Sequence, residues 1–264
     1  MSLNWSIELQ KLDLKYTWAI ARNSSDFKIN AFIKVSDEKN AGIGEAAPNV
    51  RYNESPEKLL EIFNGLDFPK FIDTKNFIDW LNQQKLPNAL RFGIESAFTN
   101  YVANANNISI CSVLGLKEAI GRNTSYTIPI MPIEKIEDYI KNYNLKRFRF
   151  VKVKVNSENM VPFVAEIRRH LNNSIIIDAN EAYSDPDKFL LDIELLQDSN
   201  LEFIEQPFPA HFVDEFIYLK KKSKHLIFAD ESITNKADFS VLKECFHGVN
   251  IKLMKAGGFL SVCL

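Results

Sequence analysis

Val151-Lys152-Val153-Lys154-Val155 sets two lysines at alternate positions of an otherwise apolar run. In an extended chain successive side chains point to opposite faces, so Lys152 and Lys154 share one face and the three valines share the other. A charged group inside an apolar strand is costly unless a partner or a metal compensates it. The arrangement recurs with Asp178 in IIIDAN (175–180), Glu205 in FIEQP (203–207), Asp230 in IFADES (227–232) and Lys252 in VNIKL (249–253). Asp178 shares its face with Asn180, and Lys252 with Asn250. Lysines, three acids and a further lysine at the ends of successive apolar runs read as one active site built from the tips of parallel strands.

Working outward, strand-like runs fall at 127–130, 151–155, 175–180, 203–207, 227–232 and 249–253, and their starts recur at roughly 22 to 28 residues, the span of one strand and one helix. Strands buried on both faces read as continuous apolar runs, which these do apart from the named polar residues. The predicted fold is α/β, a (β/α) barrel of about six strands with its chemistry at the C-terminal strand ends. Upstream the character differs. Residues 4–47 alternate as antiparallel strands, NAFIKVSDEKNAGIGEAAP (30–48) being two strands joined by a polar turn with Gly42 and Gly44. Residues 56–105 carry helical spacing, with Pro56 suited to a first helical turn. The expected domains are an α+β capping unit over 1–118 and a partial barrel over 119–264.

Composition excludes several classes. The chain has 264 residues, 46% hydrophobic and 25% charged, enough for a large core and two domains. A formal net charge of -2, with lysines interleaved among acids, gives no nucleic-acid footprint. Three cysteines, Cys111, Cys245 and Cys263, are odd in number and widely spaced, which argues against a disulfide framework or zinc site and for a cytoplasmic protein. No apolar run approaches the roughly 20 residues that span a bilayer, so no membrane partner is expected.

Residue types then suggest chemistry. Asp178, Glu205 and Asp230 supply only hard carboxylate oxygens, which favours a hard cation such as one Mg²⁺. Three negative charges are only partly offset by a divalent ion, and a substrate oxyanion completes such a site. Lysine is a poor base at its ordinary pKa of about 10.4. Lys152, on the face of Lys154, is expected to depress Lys154 by like-charge repulsion, with help from burial and the cation.

With VKVKV, DAN, EQP, ADES and NIKLMKAGG (250–258) in this order, and GIGEAAP (42–48) upstream, the chain resembles the enolase superfamily in its muconate-lactonizing subgroup. That superfamily pairs a lysine or histidine base with one or two Mg²⁺ ions. NIKLMKAGG is most similar to dipeptide epimerases of the L-Ala-D/L-Glu type. The resemblance implies an isomerase: Lys154 and Lys252 as acid/base groups on opposite faces of the substrate α-carbon, Lys152 as the lysine that tunes Lys154, and Asp178, Glu205 and Asp230 as metal ligands with Asn180 behind them. It implies substrate contacts from Arg22, in YTWAIAR (16–22), and from Thr127. One lysine removes the α-proton of a dipeptide, Mg²⁺ holds the enediolate, and the other lysine returns a proton to the opposite face. An o-succinylbenzoate synthase or muconate-type cycloisomerase uses the same groups, and a non-catalytic remnant is the alternative outside enzymes.

Several other residues read as bland. Lys255 and Lys220-Lys221-Lys222 are expected on the solvated surface, and His170, His211, His225 and His247 need not be ligands. The chain ends just after the sixth strand, whereas such a barrel has eight. A C-terminal truncation, completion by a second chain in a homo-oligomer, or a shortened remnant each account for that.

Overall fold

The computed structural model describes residues 3–20, 23–70, 73–118, 120–234 and 237–259. In chain order its strands are β1 (Asn4–Ile20), β2 (Asn23–Ser36), β3 (Ala41–Ala46), β4 (Ser125–Ile128), β5 (Phe150–Lys154), β6 (Ser174–Asp178), β7 (Leu201–Glu205), β8 (Ile227–Ala229) and β9 (Gly248–Val249). The helices are α1 (Pro56–Asn64), α2 (Thr74–Gln83), α3 (Asn88–Asn106), α4 (Ile110–Val113), α5 (Ile136–Asn142), α6 (Met160–His170), α7 (Pro186–Glu194), α8 (Val213–Lys222), α9 (Phe239–Cys245) and α10 (Leu253–Ala256). These form two compact units, one from the described residues of Met1–Leu14, Phe27–Ile120 and Ile251–Leu264, the other from those of Lys15–Asp26 and Gly121–Asn250.

The first unit carries a three-stranded sheet in the order β1-β2-β3. β2 and β3 are antiparallel and join at Ser36↔Ala41. The turn between them forms because the Asp37 carboxylate accepts from the backbone N–H of Lys39 at 2.7 Å and of Asn40 at 2.6 Å, a local bond that competes with extended structure. Alternation buries Ala31, Ile33 and Val35 on the face toward the helices. Gly42 and Gly44 lie in β3 rather than in the turn, and their role is close approach. A Cβ on Gly44 would stand 2.1 Å from the Gly93 carbonyl oxygen, and one on Gly42 2.2 Å from that of Ala97, so α3 packs directly on the strand backbone. Stacked rings fill the remainder, Phe77 on Phe98 at 3.7 Å and Trp5 on Phe68 at 4.5 Å. α10 joins this unit, its Lys255 carbonyl accepting from Asn88 Nδ2 at 2.7 Å.

The second unit is a parallel six-stranded sheet in sequential order β4 to β9, with a helix after each of β4 to β8, the repeat of a (β/α) barrel. Val151, Val153, Ile175, Ile177, Ile204 and Ile227 are fully buried on the face toward the helices, against Phe163, Ile167, Phe189, Phe216 and Leu219. At roughly 2 kcal/mol per fully buried aliphatic or aromatic side chain this layer dominates the stabilisation of the unit. Helix starts are specified locally: Asp185 caps α7 by accepting from the N–H groups of Asp187 and Lys188, with Pro186 in the first turn.

All six expected barrel strands are present, and each ends sooner than its apolar run, β8 and β9 by the most. β8 stops at Ala229 because the Asp230 N–H is taken at 2.9 Å by the Gln206 side chain instead of by a neighbouring strand. β9 stops at Val249, having only β8 as a partner among the described residues, and the chain turns into α10 rather than staying extended to residue 253. α10 ends where Gly257 and Gly258 adopt φ of +87° and +143°, and a Cβ on Gly258 would lie 1.6 Å from Glu95 Oε2. Lys255, expected on the surface, is buried in α10. Lys220 is half-buried, its ammonium donating at 2.7 Å to the carbonyls of Lys243 and Phe246 at the end of α9. No helix among the described residues is long and apolar enough to cross a membrane.

Candidate active site

Register sets the polar residues level with one another. Lys154 pairs with Asp178 across β5 and β6, Asp178 with Glu205 across β6 and β7, and Thr127 with Lys152 across β4 and β5. Lys154, Asp178 and Glu205 are the last residues of their strands, so these groups gather at the C-terminal edge of the sheet, on the face opposite the valine and isoleucine layer. Asp178, Glu205 and Asp230 are 0%, 1% and 2% exposed, and an oxygen from each lies within 4.8 Å of the others.

Two lysines bind into this cluster. The Lys152 ammonium bridges Asp178 Oδ2 at 2.7 Å and Glu205 Oε2 at 2.8 Å. That of Lys154 donates to Asp178 Oδ2 at 2.5 Å and to Asn180 Oδ1 at 2.7 Å. Asn180 turns the chain at φ +45°, a conformation asparagine tolerates. Its amide also donates to Glu231 Oε1 at 3.1 Å, and its backbone N–H to Asp178 Oδ1 at 3.1 Å.

The two ammonium groups differ in environment. Burial pushes Lys154 below the ordinary lysine range; Asp178 opposes the shift and the Lys152 charge adds to it. Burial acts on Lys152 in the same direction, but Asp178 and Glu205 outweigh it and hold this group protonated above the ordinary range. Like-charge repulsion from Lys152 adds to the depression of Lys154, second to burial. Burial and the neighbouring Asp178 raise Glu205, while both lysines overcome burial to lower Asp178.

Lys252 is an exposed extended residue immediately before α10, in the first unit. Thr127 is half-buried on β4, its carbonyl accepting from Tyr139 Oη at 3.2 Å. Arg22 lies outside the described residues. Three further residues join the cluster: Glu231, Asn250, whose amide donates to Glu205 Oε1 at 2.9 Å, and Gln206. Each sits within a quoted run, beside or two residues from a selected position, and alternation alone singles out only Asn250 as a neighbour of the polar face. His247 Nδ1 accepts from the Ile227 N–H at 3.0 Å.

Comparison with known proteins follows the same geometry. An L-Ala-D/L-amino acid epimerase of Pedosphaera parvula is 30% identical over 262 residues, covering 94% of this chain and 74% of that protein. One of the same description from Maribacter is 26% identical over 260 residues, 96% of this chain and 75% of that one. The solved structure of a dipeptide epimerase from Methylococcus capsulatus, complexed with Mg and L-Arg-D-Lys, superimposes with a TM-score of 0.86 at 24% identity, covering 100% of this chain and 78% of that one. The fold is accordingly the enolase-type barrel with an N-terminal antiparallel cap. Residues 134–263 match the family described as enolase C-terminal domain-like, and with a relative of that likeness along nearly its whole length, the chain belongs to the enolase superfamily.

Proposed function

We propose that this protein is a Mg²⁺-dependent dipeptide epimerase, an isomerase that inverts one α-carbon by two-base proton transfer. The observation that carries the reading is the buried set of Asp178, Glu205 and Asp230 oxygens within 4.8 Å of one another, with the Lys154 ammonium 2.5 Å from Asp178. The donor set fits a hard divalent cation: all oxygen, acidic and buried, with no sulfur or imidazole. Asp178, Glu205 and Asp230 would hold the ion, which when bound supplies positive charge against the carboxylate of the substrate as its α-proton leaves.

Lys154 Nζ is the acid/base group of one face. Burial favours its neutral form, while Asp178 and Asn180 fix the nitrogen in place. The α-carbon–hydrogen bond breaks, the proton passes to one lysine nitrogen, and the electron pair spreads into the substrate carboxylate. Lys252 Nζ, two residues after Asn250, delivers a proton to the opposite face. Lys152 stays charged and serves Lys154 electrostatically. Thr127 and Arg22 are the substrate contacts in this reading. The names of the relatives support a dipeptide over a cycloisomerase or synthase substrate. Cys111 and Cys245 are free, in keeping with a reducing cytoplasm, and a homo-oligomer is the proposed state.

The test is incubation with a pool of L,L-dipeptides and Mg²⁺ in D₂O. Mass spectrometry should find a one-unit gain and chiral separation the matching epimer, both lost on chelation. Failure of every dipeptide to exchange would refute the reading.

A further inference from the structure

Gln206 is fully buried. It follows the ligand Glu205 at φ +42°, a left-handed conformation for which a glutamine has no intrinsic preference. Its backbone N–H donates to the Phe228 carbonyl of β8 at 3.0 Å, and its carbonyl accepts from the Glu181 N–H beyond β6 at 2.8 Å. The side chain is saturated as well. Oε1 accepts from the N–H of Asp230 at 2.9 Å and of Ser232 at 3.1 Å, while Nε2 donates to the Phe208 carbonyl at 3.1 Å and to Ser232 Oγ at 2.7 Å. One residue therefore ties together the ends of β6, β7 and β8, the three strands that carry Asp178, Glu205 and Asp230.

The chemistry of the contact selects an amide. Two N–H groups converge on one end and a carbonyl faces the other, so the side chain must accept on one side and donate on the other, which the carboxamide of glutamine does at any protonation state of its surroundings. A methionine of similar volume would leave the Asp230 and Ser232 N–H groups and the Phe208 carbonyl without partners in a buried setting.

We infer that Gln206 is a positioning residue for the metal site: by capturing the Asp230 N–H it ends β8 and fixes where the third carboxylate stands relative to the other two. The inference rests on the proposed metal site. It places part of the geometry of that site in the backbone of the β8 end, held by a side chain that need not touch the ion.

The experiment measures Mn²⁺ dissociation constants by electron paramagnetic resonance, with Mg²⁺ competing, alongside urea unfolding in chelator. Gln206→Met should weaken Mn²⁺ by about 10- to 100-fold, the range typical of lost outer partners. Phe163→Leu, a fully buried core change on α6, serves as the control and should lower stability while leaving Mn²⁺ affinity within twofold. If Gln206→Met does not fold, Gln206→Glu decides. It keeps the acceptor for both N–H groups but turns a second oxygen toward Phe208, and should show a shifted Mn²⁺ spectrum. A folded Gln206→Met that binds Mn²⁺ within twofold of the unaltered protein, or an unshifted Gln206→Glu, overturns the inference. Absence of Mn²⁺ binding by the unaltered protein would instead overturn the metal reading beneath it.

Discussion

Replacing Lys152 by methionine should destabilise the metal-free protein and, unusually for a charge in an active site, strengthen its grip on the cation. Lys152 bridges Asp178 and Glu205 at 2.7 and 2.8 Å with its side chain only 15% exposed. Each contact is worth about 6 kcal/mol of gross attraction at an effective dielectric near 20, most of it offset by desolvation. Removing one partner of a buried pair typically costs about 3–5 kcal/mol because an uncompensated charge remains. Asp178 keeps Lys154 at 2.5 Å, so the lower figure applies, about 3 kcal/mol or roughly a hundredfold in the unfolding equilibrium. Methionine fills the space of the lysine stem, which limits any cavity contribution. The cation and the Lys152 ammonium compete for the same two carboxylates, so Mg²⁺ should bind the variant more tightly and restore most of the lost stability by linkage. Urea unfolding in chelator and in excess Mg²⁺, with calorimetric titration of Mg²⁺, measures both effects. A variant as stable as the parent in chelator, or one with weaker Mg²⁺ binding, would refute the competition argument.

Lys252→Ala should stop inversion while leaving Mn²⁺ affinity within a few-fold, because the three carboxylates proposed to hold the ion are unchanged; chiral chromatography and metal titration check this together. Tyr101 and Asp37 provide a pH signature in the first unit. Burial and its 2.8 Å bond to Asp37 push the Tyr101 hydroxyl up to about 12, and backbone N–H groups of Asn40 and Lys39 pull Asp37 down to about 2. A raised folded-state pKa contributes stability that is complete below the unfolded value near 10 and is lost as pH rises through 12. A lowered one contributes above about 4 and is lost as pH falls toward 2. Tyr101→Phe should therefore reduce stability at neutral pH and flatten its decline between pH 10 and 12, measured by urea unfolding across pH. Gly44→Ala should cost at least about 2 kcal/mol, since the added methyl would meet the Gly93 carbonyl oxygen at 2.1 Å and α3 must move; thermal unfolding tests it.

Much of the second unit is legible in the sequence because two simple rules coincide there. Period-two alternation fixes which face Lys152, Lys154 and Asp178 occupy, and burial on both faces makes each strand stand out as an apolar run. The strand ends are less legible. IFADES and VNIKL continue in an extended-looking pattern, yet Asp230 is captured by Gln206 and residues 253–256 wind into a helix, outcomes set by partners distant in sequence. Gln206 and Glu181 adopt positive φ without the glycine or asparagine that would announce a turn, and so their contribution to the site is invisible to local reading. The burial of Lys255 is illegible for a related reason: in a four-residue helix it depends on what packs over the side chain. Gly42 and Gly44 resemble turn residues in a sequence window, and only the closeness of α3 gives them their role.

The most direct test of the account compares the unaltered protein with Lys154→Gln for Mg²⁺-dependent deuterium uptake into the α-position of a dipeptide, with Mn²⁺ binding measured on the same samples. The account predicts uptake by the unaltered protein, abolished by chelator and reduced by about 10²- to 10⁴-fold in the variant, as expected for loss of a general base, while the variant still binds Mn²⁺. Uptake at an undiminished rate in Lys154→Gln, or persisting in chelator, would contradict it.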